Sequence, residues 1–312
     1  SGTLSMGFDT PADFQILPGM ENILAAQALF PVTSRDEMRG NVGDVDMQGK
    51  TNVIALIADD NYTQIWETLF NRIWQIVEYQ RLLRLAYPAL NESEFNFAHI
   101  ANAIAEYEIA SFTTLNSPFD RYLNGEKTAL SSNAINGAKL FFGKAQCGDC
   151  HTGILLTDQK YYNLGVPQLG PGKDTAAPLD FGRNLETYTE EDKFCFRTPS
   201  LRNVALTGPY MHNGAYNDLN TAVGHHLNAQ EMLSTYNGEG LPAVFEASVH
   251  NNIATQQNIL TTLDEHAINP PIISETEIDL LIDFLNALTD PAALDLNHTI
   301  PEQVPSGLPV FD

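Results

Sequence analysis

Cys147-Gly148-Asp149-Cys150-His151 combines residue types and a spacing that can do chemistry. Two thiols three positions apart can each add to a haem vinyl group as a thioether. The histidine beside the second can give its imidazole to the iron, so C-x-x-C-H reads as the attachment motif of a c-type haem. Two other readings compete. A structural zinc site needs further thiolates or imidazoles at short spacing, and none follows nearby. A thioredoxin-like redox pair should sit in a βαβ pattern, which the sequence lacks. The third cysteine, Cys195, stands between Phe194 and Phe196 and reads as a buried structural thiol.

A six-coordinate iron needs a second ligand besides His151. In Leu219-Asn220-Thr221-Ala222-Val223-Gly224-His225-His226, a helix places Leu219, Val223 and His226 on one face, at steps of four and three. His225 then points about 100° away. If Leu219 and Val223 face the core, His226 faces the haem. Taken alone, the pair reads equally as two surface histidines at a helix end. Met211 and Met232 are rivals, and the choice matters: a thioether raises the reduction potential, whereas a second imidazole lowers it.

Several elements must position these groups. The apolar residues Ile65, Leu69, Ile73, Ile76, Leu83 and Ala86 predict a long helix from Tyr62 to Tyr87, stopped by Pro88. Asn22 to Leu29 and Phe97 to Phe112 are further helices, and Trp66, Trp74 and Tyr107 are expected in the core. Ser132 to Phe142 reads as the helix that delivers Cys147. Residues 152–192, rich in Gly, Pro and Asp, read as a long loop around the cofactor. Ser274 with Glu277 three residues on is a capping box that opens the last helix, ended by Asp290-Pro291. No strand of alternating pattern stands out. The expected fold is mainly α, with cytochrome c-like haem domains and long irregular loops.

The 312 residues suffice for one large domain or two smaller ones. With 16 Lys and Arg against 39 Asp and Glu, the net charge of −23 argues against nucleic acid and anionic membranes as partners. It suits a basic electron-transfer partner or, more simply, a well-solvated surface. No apolar run reaches the ~18 residues of a membrane span, and no signal peptide opens the sequence. Haem c is attached outside the cytoplasm, so the expected location is periplasmic, extracellular or at the cell surface, with residue 1 not the start of the gene product.

Residues 196–214, Phe196-Arg197-Thr198-Pro199-Ser200-Leu201-Arg202-Asn203-Val204-Ala205-Leu206-Thr207-Gly208-Pro209-Tyr210-Met211-His212-Asn213-Gly214, closely resemble a signature of the bacterial di-haem cytochrome c peroxidase and MauG superfamily. That signature is F-K/R-T-P-S/T-L-R-N-x-x-L-T-x-P-Y-F/M-H-D/N-G. The resemblance extends from Asn22 to the final helix. In the family a helix after the signature carries the distal ligand of the second haem, Met in many peroxidases and Tyr in MauG. The matching position here is His226, a departure that implies a bis-histidine, low-potential haem for electron transfer.

The resemblance implies a second site. Gln27, Pro31 four residues later and Glu37 ten residues later match the peroxidatic pocket of the family's first haem. Cleaving peroxide requires a proton moved between its two oxygens, which a carboxylate can take and return, while an amide can hold the peroxide by hydrogen bonds. Without the match, Glu37 would read as part of a solvated turn. Thr207 and Pro209 stand where the family offers two backbone carbonyls to a bridging calcium, an ion suited to oxygen ligands. His212 matches the signature's histidine, and a hydrogen-bonded core role fits it as well.

The family has two C-x-x-C-H motifs, and the one here matches the second. The implied organisation is residues 1–125 as the remainder of the peroxidatic domain and 126–312 as the domain holding the covalent electron-transfer haem. The first haem would come from an N-terminal part outside this sequence or from a partner chain; a true single-haem relative is the third option. The implied function is reduction of hydrogen peroxide. Electrons would be received from a donor protein such as a small cytochrome, a cupredoxin or a quinol-linked cytochrome. The alternatives are a non-catalytic cytochrome subunit of a larger assembly and a MauG-like enzyme that oxidises a protein side chain.

Overall fold

The computed structural model describes residues 10, 12, 15–45 and 49–310. About 48% of the described residues are helical, so the mainly α expectation holds. The chain divides into two units, Ser1–Thr113 with Leu296–Asp312, and Thr114–Asp295.

The first unit is built on α1 (Ile23–Ala28), α2 (Tyr62–Trp74), α3 (Val77–Ala86) and α4 (Phe97–Phe112). Asn22 opens α1 by accepting the Ala25 N–H at 2.9 Å, which satisfies one of the orphan donors of a helix start. Alanines 25, 98, 101 and 105 are fully buried, and their small side chains let α1 and α4 approach closely. Trp66 is wholly buried and donates its indole N–H to the Leu29 carbonyl at 2.7 Å. Trp74 stacks on Phe70 and packs against Phe95. Tyr107, expected in the core, is 45% exposed.

The predicted helix 62–87 is interrupted. Ile76 adopts an extended conformation, φ −93° and ψ 111°, between α2 and α3. Two β-branched residues in sequence, Ile76 and Val77, are stiff at χ1 and weaken the helix there. The break is held by Gln80, whose side-chain amide donates to the Trp74 carbonyl at 2.6 Å. Apolar periodicity runs through the break, which is why it is invisible to a pattern search.

The second unit contains α5 (Pro118–Leu123), α6 (Ser132–Phe141), α7 (Asn184–Thr187), α8 (Leu219–Leu227), α9 (Ala229–Thr235), α10 (Ala243–Glu246), α11 (Ile253–Leu260), α12 (Glu265–Ile268) and α13 (Glu275–Asn286). Two short strands, β1 (Tyr161–Tyr162) and β2 (Phe196–Arg197), pair antiparallel, Tyr161 with Arg197 and Tyr162 with Phe196. Two residues are too few for an alternating pattern, so the sequence carried no strand signal.

The frame is the crossing of α6 on α13. Phe141 meets Phe284 at 5.1 Å between ring centres, and Phe119 meets the same ring at 5.0 Å. The capping box of α13 forms, with the Ser274 N–H donating to Glu277 at 2.9 Å. Lys144, just before the cysteine motif, donates to Glu277 at 2.7 Å. The Lys144 ammonium and the Ser274 amide hold the Glu277 carboxyl down at about 2. The helices touch because residue 137 is glycine: a Cβ there would lie 1.9 Å from the Leu280 carbonyl oxygen. Gly137→Ala must therefore push α6 away from α13. The expected cost is about 1–3 kcal/mol of overpacking, read as a lower urea midpoint.

Candidate functional site

The helix α6 runs into a turn in which Gln146 is left-handed, φ 59°, and Cys147–Asp149 form one 3-10 turn. The His151 N–H closes it by donating to the Cys147 carbonyl at 2.9 Å. Gly148 is required, since a Cβ there would meet the Phe142 ring at 2.6 Å. Both motif thiols are displaced by burial, that of Cys147 up to about 12.

His151 donates Nδ1–H to the Leu156 carbonyl at 3.1 Å, which leaves Nε2 unprotonated and available to a metal. Burial, and then the nearby His226, lower its pKa to about 4, so the ring is neutral at pH 7. The carbonyl is held in place from the signature segment. Ser200 donates to the Leu155 carbonyl at 2.6 Å and Arg202 Nε to that of Ile154 at 2.8 Å. Arg202 forms a two-pronged pair with Asp120 on α5, at 2.9 and 3.0 Å.

The second wall is α8, opened by Asp218, which accepts the Thr221 N–H at 2.8 Å. Leu219, Val223 and His226 border one apolar cavity with Cys147, Cys150 and His151. Its volume is about 390 Å³, within the usual range for a small-molecule or cofactor site. His226 donates Nδ1–H to the Ala222 carbonyl one turn back at 2.8 Å, again leaving Nε2 as a lone-pair donor. Its ring has accessible surface, yet protein packs around it as in an interior; the two facts agree because its open side borders the cavity. His225 has no accessible surface. Its Nε2–H donates to the Leu164 carbonyl and its Nδ1 accepts from the Tyr216 hydroxyl, both at 2.8 Å, so neither nitrogen is free. Of the two methionines, Met211 borders the cavity and Met232 packs in a cluster with Val166, Ala215, Tyr216 and Ala222.

The donor set fits a c-type haem. The cavity is apolar, two thiols lie at its wall, and two imidazoles border it, each with Nδ1 committed to a carbonyl. Cys195 is buried and its thiol is pushed up to about 11, chiefly by desolvation.

Gln27, Pro31 and Glu37 lie in the first unit. Gln27 is exposed near the end of α1, and Pro31 follows in the next turn. Glu37 is exposed in a π-helical turn, Arg35–Arg39, a geometry often found at functional positions. The turn is pinned by its end residues: Arg39, 1% exposed, and Arg35 both reach Asp59, at 2.8 and 2.7 Å. Among the described residues neither Gln27 nor Glu37 has a side-chain hydrogen-bond partner. Thr207 and Pro209 border the same cavity as His151 and His226, and among the described residues neither carbonyl accepts a hydrogen bond. His212 lies flat on Phe196, 3.4 Å between ring centres, at the same cavity.

With this geometry in view, similarities to known proteins become informative. A family model for di-haem cytochrome c peroxidase matches residues 6–128. Cytochrome c551 peroxidase of Pseudomonas aeruginosa is 39% identical over 191 residues, 61% of this chain and 53% of the relative. Methylamine utilization protein MauG of Methylorubrum extorquens is 27% identical over 230 residues, 74% of this chain and 55% of the relative. The chain thus spans about half the length of these relatives. The crystal structure of the diheme peroxidase BthA from Burkholderia thailandensis shares the fold, with a TM-score of 0.52 at 19% identity over 86% of this chain and 64% of that one. No helix among the described residues is long and apolar enough to cross a membrane.

Sequence reasoning did not identify the Leu156 carbonyl, Tyr216 or Asp120 as supports of the site. The signal for Arg202 lay in the signature, but its partner is 82 residues away. Burial alone would raise the Asp120 carboxyl; hydrogen bonds from Arg202 and Ser117 outweigh it, and its pKa lies below the usual value of 3.8. The pair therefore stabilises the fold above the unfolded-state pKa, and its contribution is lost as pH falls through the lower folded-state value. The two side chains are 15% and 13% exposed. Asp120→Asn should cost roughly 2 kcal/mol near neutral pH, less than the 3–5 of a fully buried pair. Urea titrations of both proteins should show that difference shrinking below about pH 4.

Proposed function

We propose that this chain belongs to the di-haem cytochrome c peroxidase and MauG superfamily, on its similarity to the family model and to both kinds of relative, and that it is part of a peroxidase-type oxidoreductase, with a covalent haem c held between His151 and His226. The observation that carries the reading is the pair of imidazoles bordering one apolar cavity, each with Nδ1–H tied to a backbone carbonyl and Nε2 left over. Bound there, haem c supplies one-electron redox chemistry, and two imidazole ligands set it at low potential.

The residues divide the work. Cys147 and Cys150 anchor the group by thioethers, and the Leu156 and Ala222 carbonyls fix the tautomers of the two histidines. The apolar walls exclude water, which favours transfer of electrons without protons. In the first unit, Glu37 accepts a proton from one peroxide oxygen and returns it to the other, Gln27 donates hydrogen bonds to the peroxide, and Pro31 shapes the turn between them. Two electrons and two protons then convert one hydrogen peroxide to two waters. A second haem, from the rest of the protein or a partner chain, belongs beside these residues. The Thr207 and Pro209 carbonyls are the proposed protein contribution to a calcium site. The donor is a small cytochrome, a cupredoxin or a quinol-linked cytochrome, and the setting is periplasmic, extracellular or cell-surface, where covalent haem is attached.

Four measurements test this. Intact mass of the complete protein should show porphyrin added at Cys147 and Cys150; colourless protein without a Soret band overturns the reading. His226→Ala should convert that haem from low spin to high spin or recruit Met211. His225→Ala should leave the spectrum low-spin but destabilise the fold by about 2–4 kcal/mol, through the cavity and two unpaired polar groups. Glu37→Gln should lower peroxide turnover by about 10²–10⁴-fold, the usual worth of a general acid–base. Unchanged turnover would favour a non-catalytic carrier.

A further inference from the structure

The wall of the cavity carries a charge with no carboxylate counterpart among the described residues. Seven of the nine arginines in the sequence pair with a carboxylate: Arg35, Arg39, Arg81, Arg84, Arg121, Arg183 and Arg202. Such pairing is expected in a chain of net charge −23. Among the described residues Arg72 and Arg197 are the exceptions. Arg72 is exposed on α2. Arg197 borders the cavity, in a lining set that contains no Lys, Asp or Glu.

Arg197 is also well placed to act as a fixed cation. Its backbone is clamped in β2 opposite Tyr161. The next residue is held on both sides, with Thr198 N–H donating to the Lys160 carbonyl at 2.8 Å and the Thr198 carbonyl accepting from Thr157 Oγ1 at 2.6 Å. Arg183, which lies over the ring of Tyr161 opposite Arg197 at 4.3 Å, is engaged with Asp192. The other basic groups on the wall are imidazoles. Of these His151 and His226 are the axial candidates, His212 stacks on Phe196, and His266 bonds Asp264 at 2.8 Å. Arg197 is exposed, so its permanently charged guanidinium keeps its charge at the cavity border and is free to meet an anion there. Its planar fork suits a carboxylate, bound by two parallel hydrogen bonds.

We infer that Arg197 binds a propionate carboxylate of the haem attached at Cys147 and Cys150, neutralising it at the cavity wall. The assignment rests on the haem reading above. A cation beside the propionate stabilises the reduced state, which carries one more electron, through simple Coulomb attraction. Arg197 is thereby a positioning and potential-setting residue, not a ligand of the iron.

The test uses the complete holoprotein in four forms: wild type, Arg197→Leu, Arg197→Lys and Arg72→Leu. The readouts are the midpoint potential by spectroelectrochemical titration and the propionate bending band by resonance Raman. Arg197→Leu should lower the potential and move the band to lower frequency as the hydrogen bonds are lost. Arg197→Lys, which keeps the charge and loses the fork, should hold the potential close to wild type while still shifting the band. Arg72→Leu should match wild type in both. If Arg197→Leu fails to accumulate with haem, the Arg197→Lys band decides, and an unshifted band overturns the assignment. Wild-type values for both readouts in Arg197→Leu overturn it alone, with the haem reading intact. A wild-type protein without covalent porphyrin overturns the haem reading and this assignment together.

Discussion

The hydrogen bond from His151 Nδ1–H to the Leu156 carbonyl is the constraint around which the second unit is arranged. An imidazole can serve a metal through Nε2 only if the proton sits on Nδ1, and only a fixed acceptor keeps it there. Leu156 must therefore be held in place: its backbone is left-handed, φ 53°, in a turn closed by the Thr157 N–H on the Thr152 carbonyl at 2.8 Å. The neighbouring carbonyls of residues 154 and 155 are gripped by Arg202 and Ser200. The Arg202–Asp120 pair then ties this loop to α5. A five-residue motif is made useful by contacts that arrive from both sides of it in sequence.

The same device recurs on α8 in a cheaper form. His226 uses the carbonyl of Ala222, four residues back on its own helix, so no outside loop is needed. The cost falls on the adjacent residue. His225 projects into protein, where an unpaired imidazole would be expensive. Tyr216 and the Leu164 carbonyl satisfy both of its nitrogens. The His225–His226 pair is thus one exposed-to-cavity group and one structural group, separated by a single residue's rotation of the helix.

The first unit poses a different problem. The role proposed for Glu37 requires a carboxylate that is not locked into a salt bridge and is nevertheless held in position. Around Glu37 the bridging is done by its neighbours. Arg35 and Arg39 reach Asp59 and the carbonyls of residues 54 and 55, fixing a π-helical turn while Glu37 itself keeps no partner among the described residues. The two arginines stand four positions apart, and both reach one acid from the same turn. The short strands serve a similar end, fixing the backbone of Phe196 and Arg197 at the cavity wall.

By itself the sequence determined what is local: the C-x-x-C-H attachment pattern, the face of α8 shared by Leu219, Val223 and His226, the capping box at Ser274, and a mainly α fold. Each depends on residues within one or two turns, and their periodicity or spacing is the physical interaction. Only the tertiary structure decided the rest. The helix break at Ile76, the two-residue strands, the exposure of Tyr107 and the acceptor for His151 all depend on partners absent from the local pattern. Apolar periodicity does not register a lost backbone hydrogen bond. The Arg202–Asp120 clamp spans 82 residues, and that Arg197 has no carboxylate partner among the described residues emerges only from the tertiary structure.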